Sequence, residues 1–522
     1  MIGVDDPKPD SFSSRVSLNM VTNVLRTVIM ALVGLLMVPY YIGEFGLAAY
    51  AILPLATSLT SYFIAIADSL SSAFTRYMVI ALQKGDIEGA NRVFNTSFFG
   101  LGKMMLILLP IVLVISYASP YIFNVGPSGT FDVQFLFLMV ILSSLIVSFC
   151  SCITSVFMAY NRLHITYSGR IVHVVSQVAF VFLFFFLVGP SLSLVGLSYI
   201  LSVLLYVGII LYYFRRMAPE IKLSRRHNDS SLLREMGSLG LWAVVDEMGA
   251  LLFIQASMIL VNLRLGSEIQ SSFAIVANVI SMMNTACAAI AVTAIPLVYR
   301  CYTEGRRDKM VLTLDVFSKF VGVMMAFPMA YLLIFAPQVL EVWLGPGYDG
   351  LIPMLWMMVP AQVAVCASYP LLQVPVMYKK VRGMAMLTIS LGVLNILLGL
   401  ALVEFTDLGV FGVCLAWTVT TLVLRFIVYP VYSSRLMEVR VWSLMRPMMW
   451  SYVMFVVSLV PCAVIGYFLD IPATWAGVIL SLLLMFFVYM VVTIRSVFNE
   501  SERREVLTYV PGPVQKFLSK FL

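Results

Sequence analysis

Asn19, Asn23 and Arg26 follow one another at i, i+4 and i+7, which puts two amides and a guanidinium on one face of a helix. The surrounding run is apolar, and Arg26 lies about nine residues into it, ~13 Å deep at about 1.5 Å per residue. A central Arg costs roughly 2.5–3.5 kcal/mol on insertion scales, so a stripe of this kind does not face lipid. It lines a helix contact or a wet cavity, and the cavity is the better reading. A guanidinium held there can fork onto phosphate oxygens or close an ion pair. A second polar set, Trp242, Asp246, Glu247, Gln255 and Asn262, occupies a later apolar run. Adjacent residues differ by about 100° around a helix, so Asp246 and Glu247 do not both face one cavity. Either acid could carry a proton or Na⁺ under a membrane gradient, or pair structurally with Arg26.

These residues stand out because the chain around them is so apolar. Of its 522 residues, 61% are hydrophobic and 11% charged, against about 45–50% and about 25% in soluble domains. That composition excludes a soluble enzyme, a disordered chain and a secreted disulfide scaffold. The apolar runs are unbroken and about twenty residues long, the signature of membrane helices rather than of the alternating strands of a barrel. The expected fold is all-α and integral to a membrane.

Fourteen runs are long enough to span, from 17–41 and 47–69 through to 447–468 and 472–494. The loops after runs 1, 3, 5, 9, 11 and 13 hold no Lys or Arg, and the loop after run 7 holds only Arg264. The alternate loops are basic, as are both tails, which by the positive-inside bias puts both termini in the cytoplasm. The same bias accounts for the net charge of +7 without a nucleic-acid partner. The first sixteen residues, with Asp5, Asp6 and Asp10, do not read as a signal peptide.

Sliding the chain on itself by 223 residues sets Val38, Gly43, Tyr50, Ala51 and Ile52 on Val261, Gly266, Phe273, Ala274 and Ile275. A one-residue adjustment brings Arg76 beside Arg300, and with Asp68 these are read as a cytoplasmic gate. Six runs separate the copies, so the halves share one topology, a parallel repeat. The expected organisation is a cytoplasmic segment 1–16, an N-lobe 17–214, a linker 215–236, a C-lobe 237–433, an appended pair 447–494, and a basic amphipathic tail 495–522 on the membrane surface. Under the shift, Asn23 falls on Asp246, so the leading helix of each lobe is polar at matching depth, cationic in one and acidic in the other.

The remaining polar residues are less telling. The seven cysteines read as small packers, and the three histidines are scattered, so no metal site is expected. Gly102-Lys103 is followed by Met104, so there is no phosphate loop. Lys103 can snorkel from a helix end. Asp315 and Lys319 are expected to form a local i, i+4 pair, and Asn278, Asn284 and Asn395 interhelical hydrogen bonds. Asn-x-Ser/Thr triplets at Asn95, Asn228 and Asn499 fall on the inferred cytoplasmic side, where they do not signal glycosylation.

The most distinctive stretch is Val38-Pro39-Tyr40-Tyr41-Ile42-Gly43, Phe45-Gly46, Tyr50-Ala51-Ile52, Ser71-Ser72-Ala73-Phe74-Thr75-Arg76-Tyr77, Gln83-Lys84-Gly85-Asp86 and Ala90-Asn91-Arg92-Val93-Phe94-Asn95-Thr96. It resembles the Wzx-type polysaccharide and O-antigen flippases of the multidrug/oligosaccharidyl-lipid/polysaccharide exporter superfamily. The specific likeness spans about residues 35–97, and the topology of six, six and two helices extends it over nearly the whole chain. Ala51 departs from the pattern, where many relatives are expected to have Gly. The resemblance implies two pseudo-symmetric six-helix lobes in a V, a non-enzymatic flippase working by alternating access in the inner membrane, and an oligosaccharide on polyprenyl pyrophosphate as substrate. It implies membrane lipids and a glycan polymerase or glycosyltransferases as partners, no cofactor, and coupling to H⁺ or Na⁺. Arg26, Asn23 and Asn19 would then line the substrate cavity, and Asp246 or Glu247 would couple or gate. The competing readings are a multidrug exporter of the same superfamily and a peptidoglycan-precursor flippase. A membrane enzyme or a channel is disfavoured by short outer loops and the absence of a repeated pore loop.

Overall fold

A computed structural model describes residues 9–291, 295–469, 471–500 and Glu502. The residues before Pro9 and most of the tail expected to lie on the membrane fall outside them. Among the described residues the fold is helical without strands. Fourteen helical stretches are long and apolar enough to cross a membrane. We number them α1 (Pro9–Phe45), α2 (Leu47–Gln83), α3 (Ile87–Ile122), α4 (Thr130–Ala159), α5 (Leu163–Leu187), α6 (Leu192–Met217), α7 (Ser230–Leu265), α8 (Ser267–Ala291), α9 (Arg307–Ile334), α10 (Asp349–Met377), α11 (Val381–Phe405), α12 (Val410–Met437), α13 (Val441–Phe468) and α14 (Trp475–Val497).

The chain divides into two compact units. The first takes the residues through Leu251 together with Met258–Ser271, and the second Leu252–Ser257 and the residues from Ser272 on. Helix α7 therefore contributes to both. The two halves carry the same turns at nearly the same spacing. Gly46 and Gly266, 220 residues apart, both break a helix at φ 76° and 89°. Gly85 and Gly305, again 220 apart, sit at φ 70° and 68° in turns with matching backbone hydrogen bonds. Asn161 and Lys379 adopt φ 53° and 54° in a third matching pair, 218 apart. The parallel repeat is thus real in backbone terms, but its register is 220 rather than 223. Gly46, not Gly43, is the partner of Gly266, because a positive φ that only glycine adopts cheaply marks the helix break.

In the first unit a core of Phe74, Met78, Phe94, Phe157, Tyr206 and Ile210 holds the basic-loop ends of α2, α3, α4 and α6 together. The segment between α6 and α7 is strapped onto it by two asparagines. Asn91 Nδ2 donates to Glu220 O at 3.0 Å while its Oδ1 accepts from Lys222 N at 2.7 Å. Asn95 repeats the grip one turn on, to Lys222 O at 2.8 Å and from Ser224 N at 2.6 Å. Thr96 Oγ1 then accepts from Asp229 N at 3.0 Å. Asp229 caps α7, and hydrogen bonds from the Ser231 hydroxyl and the Ser231 and Leu232 amides hold its carboxyl below the usual range.

In the second unit α13 lies directly on α9. Gly322 permits the approach, since a β-carbon there would fall 2.7 Å from Ser451 Cβ and 2.9 Å from Ala367 Cβ. Helix α14 is tied to α9 by Tyr489 Oη donating to Val323 O at 2.8 Å and Tyr331 Oη to Val478 O at 3.0 Å. Spans thirteen and fourteen are therefore part of the second unit's core packing. The local pair expected for Asp315 and Lys319 is not the one formed. Lys319 Nζ reaches Glu502 Oε2 at 2.8 Å, with both side chains nearly buried, and lies over Phe498 at 4.9 Å. Glu502 also accepts from Asn499 N, so the carboxylate that Lys319 pairs with comes from beyond α14.

Two stability outcomes follow. Asn95→Ala strands the Lys222 carbonyl and Ser224 amide and costs about 1–3 kcal/mol for each group left buried without a partner. Glu502→Ala removes the hydrogen-bonded partner of the nearly buried Lys319 ammonium at about 3–5 kcal/mol, whereas Lys319→Met with Glu502→Leu recovers most of it. Thermal unfolding of the purified chain in detergent checks both. A double variant no more stable than Glu502→Ala would contradict the account of the pair.

Candidate functional site

The stripe on α1 divides into two parts with different work. Asn19 is buried, its Nδ2 donating to Asn161 O at 3.2 Å and Asn161 Oδ1 at 3.0 Å. Its Oδ1 accepts from His164 N at 2.7 Å. The residue before α5, Arg162, makes no side-chain cap, so Asn19 caps α5 from a neighbouring helix. Its amide is committed to packing, and of the three expected cavity residues it is the one drawn away from the others.

Asn23 and Arg26 stay together, with Arg26 Nη2 donating to Asn23 Oδ1 at 3.0 Å. The guanidinium lies 5.3 Å from the centre of the Tyr167 ring on α5. Arg26 is half-buried, its Nε is shut from solvent without a hydrogen-bond partner, and it forms no ion pair with a carboxylate among the described residues. One turn beyond Tyr167 stands Arg170, half-buried, with its guanidinium 5.4 Å from the Tyr206 ring and within electrostatic reach of Arg26. Arg170 counts by sequence only as a loop cation. Its place one turn into α5 from Tyr167 is the signal that marks it as a membrane arginine.

The acids belong to the same unit as the arginines. Asp246 is half-buried and Glu247 exposed, both on the part of α7 that packs in the first unit. Asp68 on α2 is exposed and within electrostatic reach of both Glu247 and Arg170. So the first unit holds a paired cationic group on α1 and α5 and three carboxyls on α2 and α7, with Arg170 and Asp68 between them. The acidic stripe does not answer the cationic one from a separate half, because the repeat places α7 at the head of the second copy while its N-terminal portion packs with the first. Asn262, further along α7, is spent on reciprocal bonds to the Asn124 backbone, both at 2.9 Å. The gate residues stand as follows. Arg76 is exposed, and Arg300, also exposed, pairs with Glu304 four residues on at 2.8 Å.

The second unit has a membrane arginine of its own that the sequence reading passed over. Arg425 lies in a wide π-helical turn, Val423–Val428, inside α12, with its guanidinium 5.1 Å from the Tyr429 ring and its Nη1 buried without a hydrogen-bond partner. The facing helix α10 supplies Gln362, which donates to Asn284 Oδ1 at 2.5 Å. A lone Arg eight residues from the end of the apolar run 408–433, ~12 Å along the helix, was the available sign. Asn395 instead does structural work, donating to Ser257 Oγ at 3.0 Å. Among the described residues no cluster of three His, Cys, Asp or Glu could hold a metal.

The relatives agree with this architecture. Residues 18–301, more than half of the chain, match the family described as polysaccharide biosynthesis protein. The chain belongs to the polysaccharide biosynthesis protein family. With fourteen apolar helices long enough to span, it is a multi-pass membrane protein of that family. It is 23% identical over 495 residues to the uncharacterized membrane protein EpsK of Bacillus subtilis (strain 168), covering 94% of this chain and 97% of that one. Its fold is that of a multidrug resistance MATE family transporter of the MOP superfamily. The inward-facing structure matches with TM-score 0.63 at 14% identity over 88% of this chain and 100% of that one. An outward-facing structure matches with TM-score 0.57 at 13% identity over 89% and 98%.

If Asn19 is a cap and not a ligand group, Asn19→Ala lowers thermal stability by about 0.5–2 kcal/mol. Its transport per folded molecule stays close to wild type. A fully stable Asn19→Ala with lost transport would return Asn19 to the cavity.

Proposed function

We propose that the protein turns an oligosaccharide linked to polyprenyl pyrophosphate from the cytoplasmic to the outer leaflet by alternating access, with both termini in the cytoplasm. Support comes from one observation above the others: the half-buried guanidinium of Arg26, with an unpartnered Nε, a second arginine in reach and no carboxylate among the described residues paired with it. A membrane protein keeps such a charge where an anion arrives to meet it. Guanidinium forks fit phosphate oxygens, and Asn23 beside Arg26 suits a sugar or phosphate oxygen. The drug-exporter reading lacks this logic, since a cationic drug would be repelled by the same pair. No chemical step is assigned to the chain, whose role is to bind, shield and reorient. A glycan polymerase or glycosyltransferases would work on either side of the flip.

Uphill flipping takes its energy from an H⁺ or Na⁺ gradient through Asp246 or Glu247. Asp246, half-buried where Glu247 is exposed, is the better placed of the two.

Arg26→Ala abolishes flipping at equal membrane abundance, and lipid-linked glycan accumulates on the cytoplasmic leaflet. Wild-type export by that variant would falsify the assignment. Asp246→Asn removes the dependence of transport by the reconstituted protein on the imposed pH or Na⁺ gradient. Transport that ignores both gradients in the wild type, and is unchanged in Asp246→Asn and Glu247→Gln, would count against coupling by these acids.

A further inference from the structure

A groove of about 530 Å³ lies on the first unit between α3 and α4, within the size range of small-molecule sites. Its walls are almost wholly apolar, with Phe98 and Phe149 stacked edge-to-face at 4.9 Å at one end and Leu109 and Leu142 at the other. Gly102 forms part of its floor. A β-carbon there would meet only Phe149, at 3.8 Å, so a larger side chain at this position would occupy the space.

One charge belongs to this groove. Lys103 lines it at the Phe149 end, is exposed, and has no hydrogen-bond or ion-pair partner among the described residues. Lys103 stands nineteen residues before the end of α3 at Ile122, ~28 Å along the helix. That is close to one hydrocarbon thickness of ~30 Å, so with Ile122 at one interface the ammonium reaches the other. That interface is the one bearing the basic loops. From Lys103 the lining continues through Leu106 to Leu109, ~9 Å toward the bilayer middle. The groove therefore has a cation at headgroup depth and an apolar channel running from it into the membrane.

We propose that this groove binds an anionic phospholipid of the leaflet on the basic-loop side, with its phosphate on Lys103 and one acyl chain along Leu106, Leu109 and Leu142. The polarity of the groove selects the occupant. A lipid of the opposite leaflet would present its headgroup at the Leu109 end, where the lining offers no charge. A zwitterionic lipid fills the channel but carries its own cation to the Lys103 end. The site is independent of the Arg26 centre and of the substrate assigned to it.

The test uses the purified full chain in detergent and native mass spectrometry with phosphatidylglycerol and phosphatidylcholine of identical acyl chains as probes. Wild type retains phosphatidylglycerol in preference. Lys103→Gln reduces that preference about fivefold, the worth of one surface lysine at an anionic membrane, and Lys103→Arg keeps it. Gly102→Leu lowers retention of both lipids by filling the channel. Equal retention of the two lipids by wild type, or an unchanged preference in Lys103→Gln, would overturn the proposal. So would displacement of phosphatidylglycerol by stoichiometric polyprenyl phosphate, which would give the groove to the isoprenoid. Should Gly102→Leu not fold, the comparison of Gln with Arg at 103 decides alone.

Discussion

Hydrocarbon supplies neither hydrogen bonds nor counter-charge, and each polar group carried into it must be answered from within the protein. Most of this chain obeys that constraint closely. Asn19 caps a helix that has no cap of its own, and Asn395 is bonded within the second unit. Lys319 finds Glu502 and two aromatic rings. Against that background Arg26 is an exception, a guanidinium with a buried donor left over and a like charge for company. The functional account rests on that exception, because an unanswered cation in a membrane is stable enough to be kept only if something else answers it part of the time.

The two arginines also explain why the acids sit where they do. Asp68 lies within reach of Arg170 and Glu247, so the positive and negative groups of the first unit form one connected electrostatic set. A proton or cation taken up by an acid in such a set alters the field at the guanidinium pair without a direct bond between them. Coupling of an ion to an anionic headgroup then requires no contact between ion and substrate. The π-helical turn that holds Arg425 is a second place where regular structure yields to a charge, in this case in the other unit.

The fold was legible because hydrophobic runs and loop charge are strong, redundant signals in a membrane chain. All fourteen spans are present as helices, and the repeat is visible in matched positive-φ turns. Its register was misjudged by three residues because sequence similarity followed side chains such as Tyr50 and Phe273, whereas the structure repeats the glycine that breaks the helix. The site was only partly legible. Arg26 stood out by depth alone, but Arg170 was hidden among loop cations and Arg425 among the residues of a long run. Tertiary partners carry no local signature, so nothing around Asp315 and Lys319 announces that a carboxylate 183 residues away takes the lysine. Likewise the spacing of Asn19, Asn23 and Arg26 could not reveal that the first of them is claimed by the start of α5.

The central claim is that the Arg26 centre recognises a lipid-borne pyrophosphate, and binding tests it most directly. Purified protein, wild type and Arg26→Ala, is titrated with polyprenyl pyrophosphate and with the uncharged polyprenol of the same length. The account predicts that wild type prefers the pyrophosphate lipid by tenfold or more and that Arg26→Ala binds the two alike. Equal binding of both lipids by wild type, or a preference that survives Arg26→Ala intact, would contradict it.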